Sequence, residues 1–263
     1  AAITLNTVRV QNCDYTEGLI FFAAYPLTSS LYGATLGVAL ARLTRSKTRL
    51  IALVALAVIA PAILRVTELY RHPQIFVFDH QWGHFAGSLY DESVSLDVRT
   101  LWLRAVTLLR MLLALVLLRA IERRRGGAVI AIVAISMLGA IGDAQLGRIA
   151  GYRLDRDAIE SELSVVVRRP GLEIHLPAAT AARTAENVAD YHQFWIERLQ
   201  RELAVKGPEI VRSYVYRDRA QKAALMGGRN TMVAKPWLDE IHVHGLELPH
   251  AVIPHELVHV MAG

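Results

Sequence analysis

This 263-residue sequence predicts a membrane α-helical fold, a bundle of four transmembrane helices, followed by an α+β domain with a small mixed sheet. Three observations predict it. Hydrophobic residues make up 53% of the chain and charged residues only 20%, with a mean hydropathy of +0.30, whereas a soluble domain ordinarily carries about 25% charge. The apolar residues gather in four long runs, all before residue 147. Beyond about residue 160 these runs give way to short alternating segments and one amphipathic stripe.

A spanning helix needs about 20 mostly apolar residues, because backbone polar groups in lipid find partners only within the segment. Gly18 to Ala41 contains no charge, and Leu50 to Leu64 reaches full length if Arg65 extends its charged end outward. The third run, Leu101 to Ile121, is interrupted by Arg104 and Arg110 but is fully apolar from Met111 to Leu118. The fourth opens at Gly126 and is uncharged up to Asp143. The expected spans are therefore 18–41, 50–66, 101–121 and 126–146, within a membrane region 1–150 that precedes a second domain, 151–263.

The net charge of +5 and the pI near 9.5 have a location. Residues 1–147 carry 14 Lys/Arg and 9 Asp/Glu, and residues 148–263 carry 15 of each. The basic residues of the first half cluster in two short loops, one with Arg42, Arg45, Lys47 and Arg49, the other with Arg119, Arg123, Arg124 and Arg125. The loop 67–100 holds Glu68, Asp79, Asp91, Glu92 and Asp97. Short basic loops stay in the cytoplasm, so the excess orients a membrane protein and is no surface for nucleic acid. It places the second domain outside the cytoplasm.

Arg104 and Asp143 enter their spans at similar depth and are expected to pair, or Arg110 to share Asp143, as a structural tie. Between the second and third spans, Phe76, Phe78 and the glycines Gly83 and Gly87 suggest a short hairpin or an interfacial segment. His80 and His84 are expected to pack at that interface, not to share a metal. Cys13 is the only cysteine, which excludes an internal disulfide and a cysteine-based zinc site. Both ends, Ala1 and Gly263, read as cuts in a longer protein.

In the second domain, Leu163 to Val167 and Leu172 to Leu176 read as strands around the Arg169-Pro170-Gly171 turn. Thr180 to Ala204 reads as a helix whose core stripe is Val188, Tyr191, Trp195, Leu199 and Leu203. Ile210 to Tyr216 is a further strand, followed by a short helix and the Gly227-Gly228 turn, which lacks the Gly-Lys-Ser/Thr ending of a phosphate loop. Thr231 to Ala234 and Glu240 to Gly245 complete the sheet. The last helix begins near Pro249, and Pro254 is tolerated only within about its first turn.

That helix contains His255-Glu256-Leu257-Val258-His259. Helical positions i and i+4 differ by about 40° around the axis, so the two imidazoles stack on one face and suit two corners of a zinc tetrahedron. Glu256 is rotated by about 100° from His255, which keeps its carboxylate beside the ligands and free to move a proton between water and a leaving amine. With 10 His, a chance HExxH in a chain of this length is expected roughly 0.02 times. The candidate site is therefore Glu256 as catalytic base with His255 and His259 as metal ligands for Zn2+. His242 and His244 share one face of their strand, and a third-ligand role, polar contacts to substrate, or a solvated edge are all open to them. With Gly245 they form the candidate substrate-binding set, while His250 reads as a first-turn residue.

From Leu172 to His259 the chain resembles zinc metallopeptidases of the gluzincin type, in particular peptidase MA-like domains fused to bacterial transmembrane helices. The resemblance implies a zincin-like domain, a peptide or protein substrate, and a multi-pass protein of the bacterial inner (plasma) membrane with this domain periplasmic or extracellular. It also implies that the strand before the motif, Glu240 to Gly245, is a sheet edge that binds substrate backbone. The third ligand it implies, a Glu on a following helix, lies outside these 263 residues. Zinc binding and activity of this stretch alone are therefore expected to be weak or absent. Two other readings are a membrane zincin resembling the heat-shock membrane proteases, which would face the cytoplasm, and a non-catalytic zincin-like membrane sensor or assembly factor that binds peptides.

Overall fold

The computed structural model describes residues 15–85, 96–123, 139 and 141–263. Cys13, Gly87, Asp91, Glu92, Arg124, Arg125 and most of the expected fourth span lie outside them. Three described helices are long and apolar enough to cross a membrane: Tyr15–Leu43 (α1), Lys47–Arg71 (α2), and Val98–Arg119, which belongs to Val98–Arg123 (α3). Residues 141–149 are also helical. Pro26 has no N–H to donate, and α1 widens around it into a π-helical turn, Ala23–Leu27. The Thr28 hydroxyl bonds the Ala23 carbonyl there at 2.8 Å.

The chain divides into two compact units. One holds described residues 15–62, 78–84 and 96–153. The other holds 63–77, 85 and 154–263, so the last turns of α2 belong with the C-terminal unit.

In the first unit α1 packs along α3, and the expected hairpin forms from β1 (Val77–Asp79) and β2 (Gly83–Phe85). Asp143 is 3% exposed and is indeed shared by Arg110, at 3.5 Å. Arg104 makes other contacts, to the His80 carbonyl at 3.0 Å and to Ser29 Oγ at 3.2 Å, with its guanidinium over the Tyr25 ring. Asp143 takes Arg153 at 2.9 Å, the Tyr152 hydroxyl at 2.8 Å and His80 Nε2 at 2.9 Å instead. His80 is thus not an interfacial residue. It is buried, with Nδ1 2.7 Å from Thr107 Oγ1, because a buried carboxylate needs donors from several elements at once. His84 stacks on Phe78.

The second unit is built on a five-stranded mixed sheet. Its strands are β3 (Val165–Arg169), β4 (Leu172–Leu176), β5 (Val211–Tyr216), β6 (Val233–Lys235) and β7 (Glu240–His244), in the order β3-β4-β5-β7-β6. β4, β5 and β7 run parallel, and β3 and β6 run antiparallel at the two edges. Because strand residues alternate between faces, Ile241 and Val243 point one way and Glu240 and His242 the other.

The first face carries α5 (Ala182–Leu203) and α7 (Ile253–Ala262). It buries Ile174, Val215, Ile241, Val243, Val188, Ile196 and Leu257 in one cluster. The second face carries α4 (Arg156–Glu162) and, beyond β5, α6 (Arg219–Leu225). Its core is smaller, formed by Ile159, Leu163, Tyr214, Tyr216 and Met226. Across it His175, Tyr214 and His242 stack as cross-strand neighbours at 4.8 and 4.9 Å. Gly227, at φ +103, closes the turn after α6 where an added Cβ would meet the Phe76 ring at 2.5 Å, so only glycine fits.

The stripe of α5 is rotated from the one expected. Leu203 is exposed, Tyr191 and Trp195 are partly covered, and His192 is fully buried. Its Nδ1 lies 2.8 Å from the Val188 carbonyl and its Nε2 2.9 Å from Ser213 Oγ on β5. Burial first, with a small contribution from His250, lowers its pKa to about 4. A histidine depressed below its ordinary 6.5 adds stability that is full above pH 6.5 and is lost as pH falls toward 4. His192 should therefore remove up to about 3 kcal/mol across that window. Denaturant unfolding in micelles, compared with His192→Asn at each pH, checks this. Equal slopes for the two proteins would contradict it.

Candidate metal centre

β7 delivers the chain to the site, and Gly245, at φ +98, turns it away from the sheet while its N–H donates to the Tyr216 carbonyl at 2.9 Å. The next residues fix the start of α7. His250 Nδ1 accepts from the N–H groups of Val252 and Ile253, both at 3.3 Å, and its Nε2–H donates to the His244 carbonyl at 3.1 Å. His250 is thus a side-chain cap for the first-turn donors of α7. Pro254 lies in that first turn, where its missing N–H costs nothing.

Ile253, Leu257, Val260 and Met261 bury one side of α7, and this leaves His255 and His259 exposed on the opposite side. Their Nε2 atoms are 3.2 Å apart, with the rings nearly perpendicular. Two nitrogens bound to a tetrahedral zinc at about 2.0–2.1 Å are about 3.3 Å apart, so this pair fits two adjacent corners. Imidazole is also a donor zinc favours. Among the described residues no third His, Cys, Asp or Glu gathers with them.

Glu256 is 7% exposed and lies near Ala234 of β6, on which α7 packs. Burial raises its pKa above the usual carboxylate value. The neighbouring His255, His259 and Lys222 and the Ala234 N–H act against that rise. The structure thus brings His255 and His259 together on an exposed face, while Glu256, next in the chain to His255, is sheltered near β6.

The other three are elsewhere. His242 is fully buried on the sheet face opposite α7, with Nδ1 3.1 Å from the Tyr216 hydroxyl and Nε2 3.5 Å from Glu240. Burial chiefly holds its pKa down. His244 shares that face at the strand end, and burial foremost lowers its pKa to about 4. Neither the third-ligand role nor contact with a substrate held at His255 and His259 fits this placement. Gly245 is a turn residue.

The expected edge is also corrected. β7 lies between β5 and β6, and β6 is the edge strand. The reason is local: Pro236–Leu238 forms a 3-10 turn and Asp239 adopts φ +57, which folds β6 back antiparallel along the outside of β7. Ala234 and the capping ring of His250 are site residues that the sequence reading missed. A histidine four residues before a first-turn proline was the available signal for the second, and nothing signals the first.

No protein-family profile, no curated protein and no solved structure matches the chain.

Proposed function

We propose that the protein is a membrane-anchored zinc metallopeptidase of the gluzincin type, its catalytic part a zincin-like domain on the outer side of a bacterial membrane. The observation that carries this reading is the 3.2 Å separation of His255 Nε2 and His259 Nε2 on an exposed helix face, with Glu256 adjacent. A zinc ion held by this pair supplies Lewis acidity toward a peptide carbonyl and toward water. The resemblance implies that the third protein ligand is a Glu outside the 263 residues.

The remaining work falls to the chain's own groups. Glu256, whose pKa burial raises above the usual carboxylate value, accepts the proton of the attacking water and hands it to the leaving amine. The outer edge of β6, which pairs with no strand among the described residues, is where an extended substrate backbone adds.

Zinc titration of the protein in a form that includes the third ligand implied by the resemblance, followed by calorimetry or by the cobalt d–d spectrum, tests the metal site. One equivalent should bind, and either His255→Ala or His259→Ala should weaken binding by about 100-fold. Unchanged affinity in both variants would remove the site. One bound equivalent with no hydrolysis of any peptide would favour the non-catalytic sensor instead.

A further inference from the structure

The strand that touches Glu256 is tied by its neighbouring residues to the end of an apolar helix long enough to cross a membrane. A helix leaves its last four carbonyls without internal partners. In α2, His72 N–H bonds the Glu68 carbonyl at 2.9 Å. Lys235 Nζ bonds the Leu69 carbonyl at 3.0 Å and, just past the helix, those of His72 and Gln74 at 2.7 and 2.9 Å. Trp237 Nε1 bonds the Tyr70 carbonyl at 2.7 Å, and its ring stacks on Tyr70 with centroids 5.4 Å apart. The cap of this helix is thus supplied by Lys235-Pro236-Trp237, the end of the edge strand and its turn.

The same place carries an exposed apolar patch. Val66 is 66% exposed, Tyr70 58%, Trp237 50% and Phe85 50%, and they line one shallow groove with Leu69 and Ile75. The patch is continuous with Ile63, also exposed one turn earlier on α2. Stacked Trp and Tyr at the end of an apolar helix match the residues enriched where membrane meets water. A tryptophan bonded to the last turn of a spanning helix has that helix end's depth, so the occupant of the patch is the headgroup and upper acyl region of the bilayer.

Ala234, the contact of Glu256, precedes Trp237 by three residues, about 10 Å of extended chain. α7 packs on β6 and on the Pro236–Leu238 turn, where Gly263 meets the Pro236 ring. We propose, on the basis of the peptidase reading above, that the free edge of β6 is held at the bilayer surface and that the site takes extended segments of polypeptide lying against the membrane, such as the stretch next to a transmembrane helix.

Two measurements on the protein in lipid vesicles test this. With Trp82, Trp102 and Trp195 replaced by Phe, Trp237 emission should fall by about half or more in phosphatidylcholine brominated near the headgroup end of its acyl chains. No quenching overturns the placement. Second, zinc-loaded wild-type protein is given one segment in three forms: joined to a transmembrane helix by about 5 residues, by about 30, and free. The short linker, at most about 17 Å long, should give about tenfold faster cleavage than the long one. Equal or faster cleavage of the long-linker or free form overturns the substrate class and leaves the peptidase reading intact. No cleavage of any form, with zinc bound, removes the peptidase reading and this substrate class together, while quenching of Trp237 would still establish the bilayer contact.

Discussion

Glu256→Gln should lower peptide hydrolysis by about 10²–10⁴-fold, the usual contribution of a positioned acid–base group, with zinc still bound at one equivalent per chain. The substitution preserves the shape of the side chain in its buried place. What it removes is the capacity to take a proton from water and return it. Stability should not suffer, because the raised pKa means that a neutral group is already well accommodated in this half-dry position. Comparison of kcat/KM, zinc content and unfolding midpoint for the two proteins checks all three statements. Hydrolysis retained within a few fold would show that another group moves the proton.

Lys235→Met should destabilise the C-terminal unit by about 3 kcal/mol or more. Lys235 is 3% exposed, and burial pushes its pKa down to about 8, with Glu240 opposing. The three carbonyls it bonds act on the same side as Glu240, since a carbonyl dipole favours the cation. Methionine fills a similar volume but leaves those carbonyls without a donor, and a buried polar group without its partner costs about 1–3 kcal/mol. The loss should be read as a lower unfolding midpoint and, before unfolding, as faster proteolysis near residues 70–76, where the capped helix end is held. Trp237→Phe, which keeps the stacking on Tyr70 and drops one hydrogen bond, should cost only about 1 kcal/mol. Equal small effects from both substitutions would show that water replaces the Lys235 bonds.

The parts of this molecule that follow from local pattern were legible in the sequence. Long apolar runs gave α1, α2 and α3, because the need to pair backbone groups inside lipid leaves few alternatives. The strand at Leu172 to Leu176, the helix ending at Leu203 and the turn through Gly171 all follow from alternation, periodicity and glycine placement. The closeness of His255 and His259 followed from their four-residue spacing, which the helix converts into a 3.2 Å separation. Strand order was not legible. Neither segment's pattern says whether β6 or β7 pairs with β5; β7 does, which makes β6 the edge, and alternation along β7 puts His242 and His244 on the face opposite α7. Contacts across more than 150 residues, such as Lys235 with Leu69, leave no trace in either segment's pattern. Asp143 shows the same limit: its charge inside an apolar run pointed to an arginine partner, but its bond to His80 arises only from packing.

The most direct test of the central claim is hydrolysis by the protein in lipid vesicles, measured before chelation, after chelation and after zinc is restored, with His255→Ala/His259→Ala in parallel. Activity should disappear with the chelator, return with about one equivalent of zinc, and be absent from the double variant throughout. Cleavage that survives either the chelator or loss of the two histidines would contradict it.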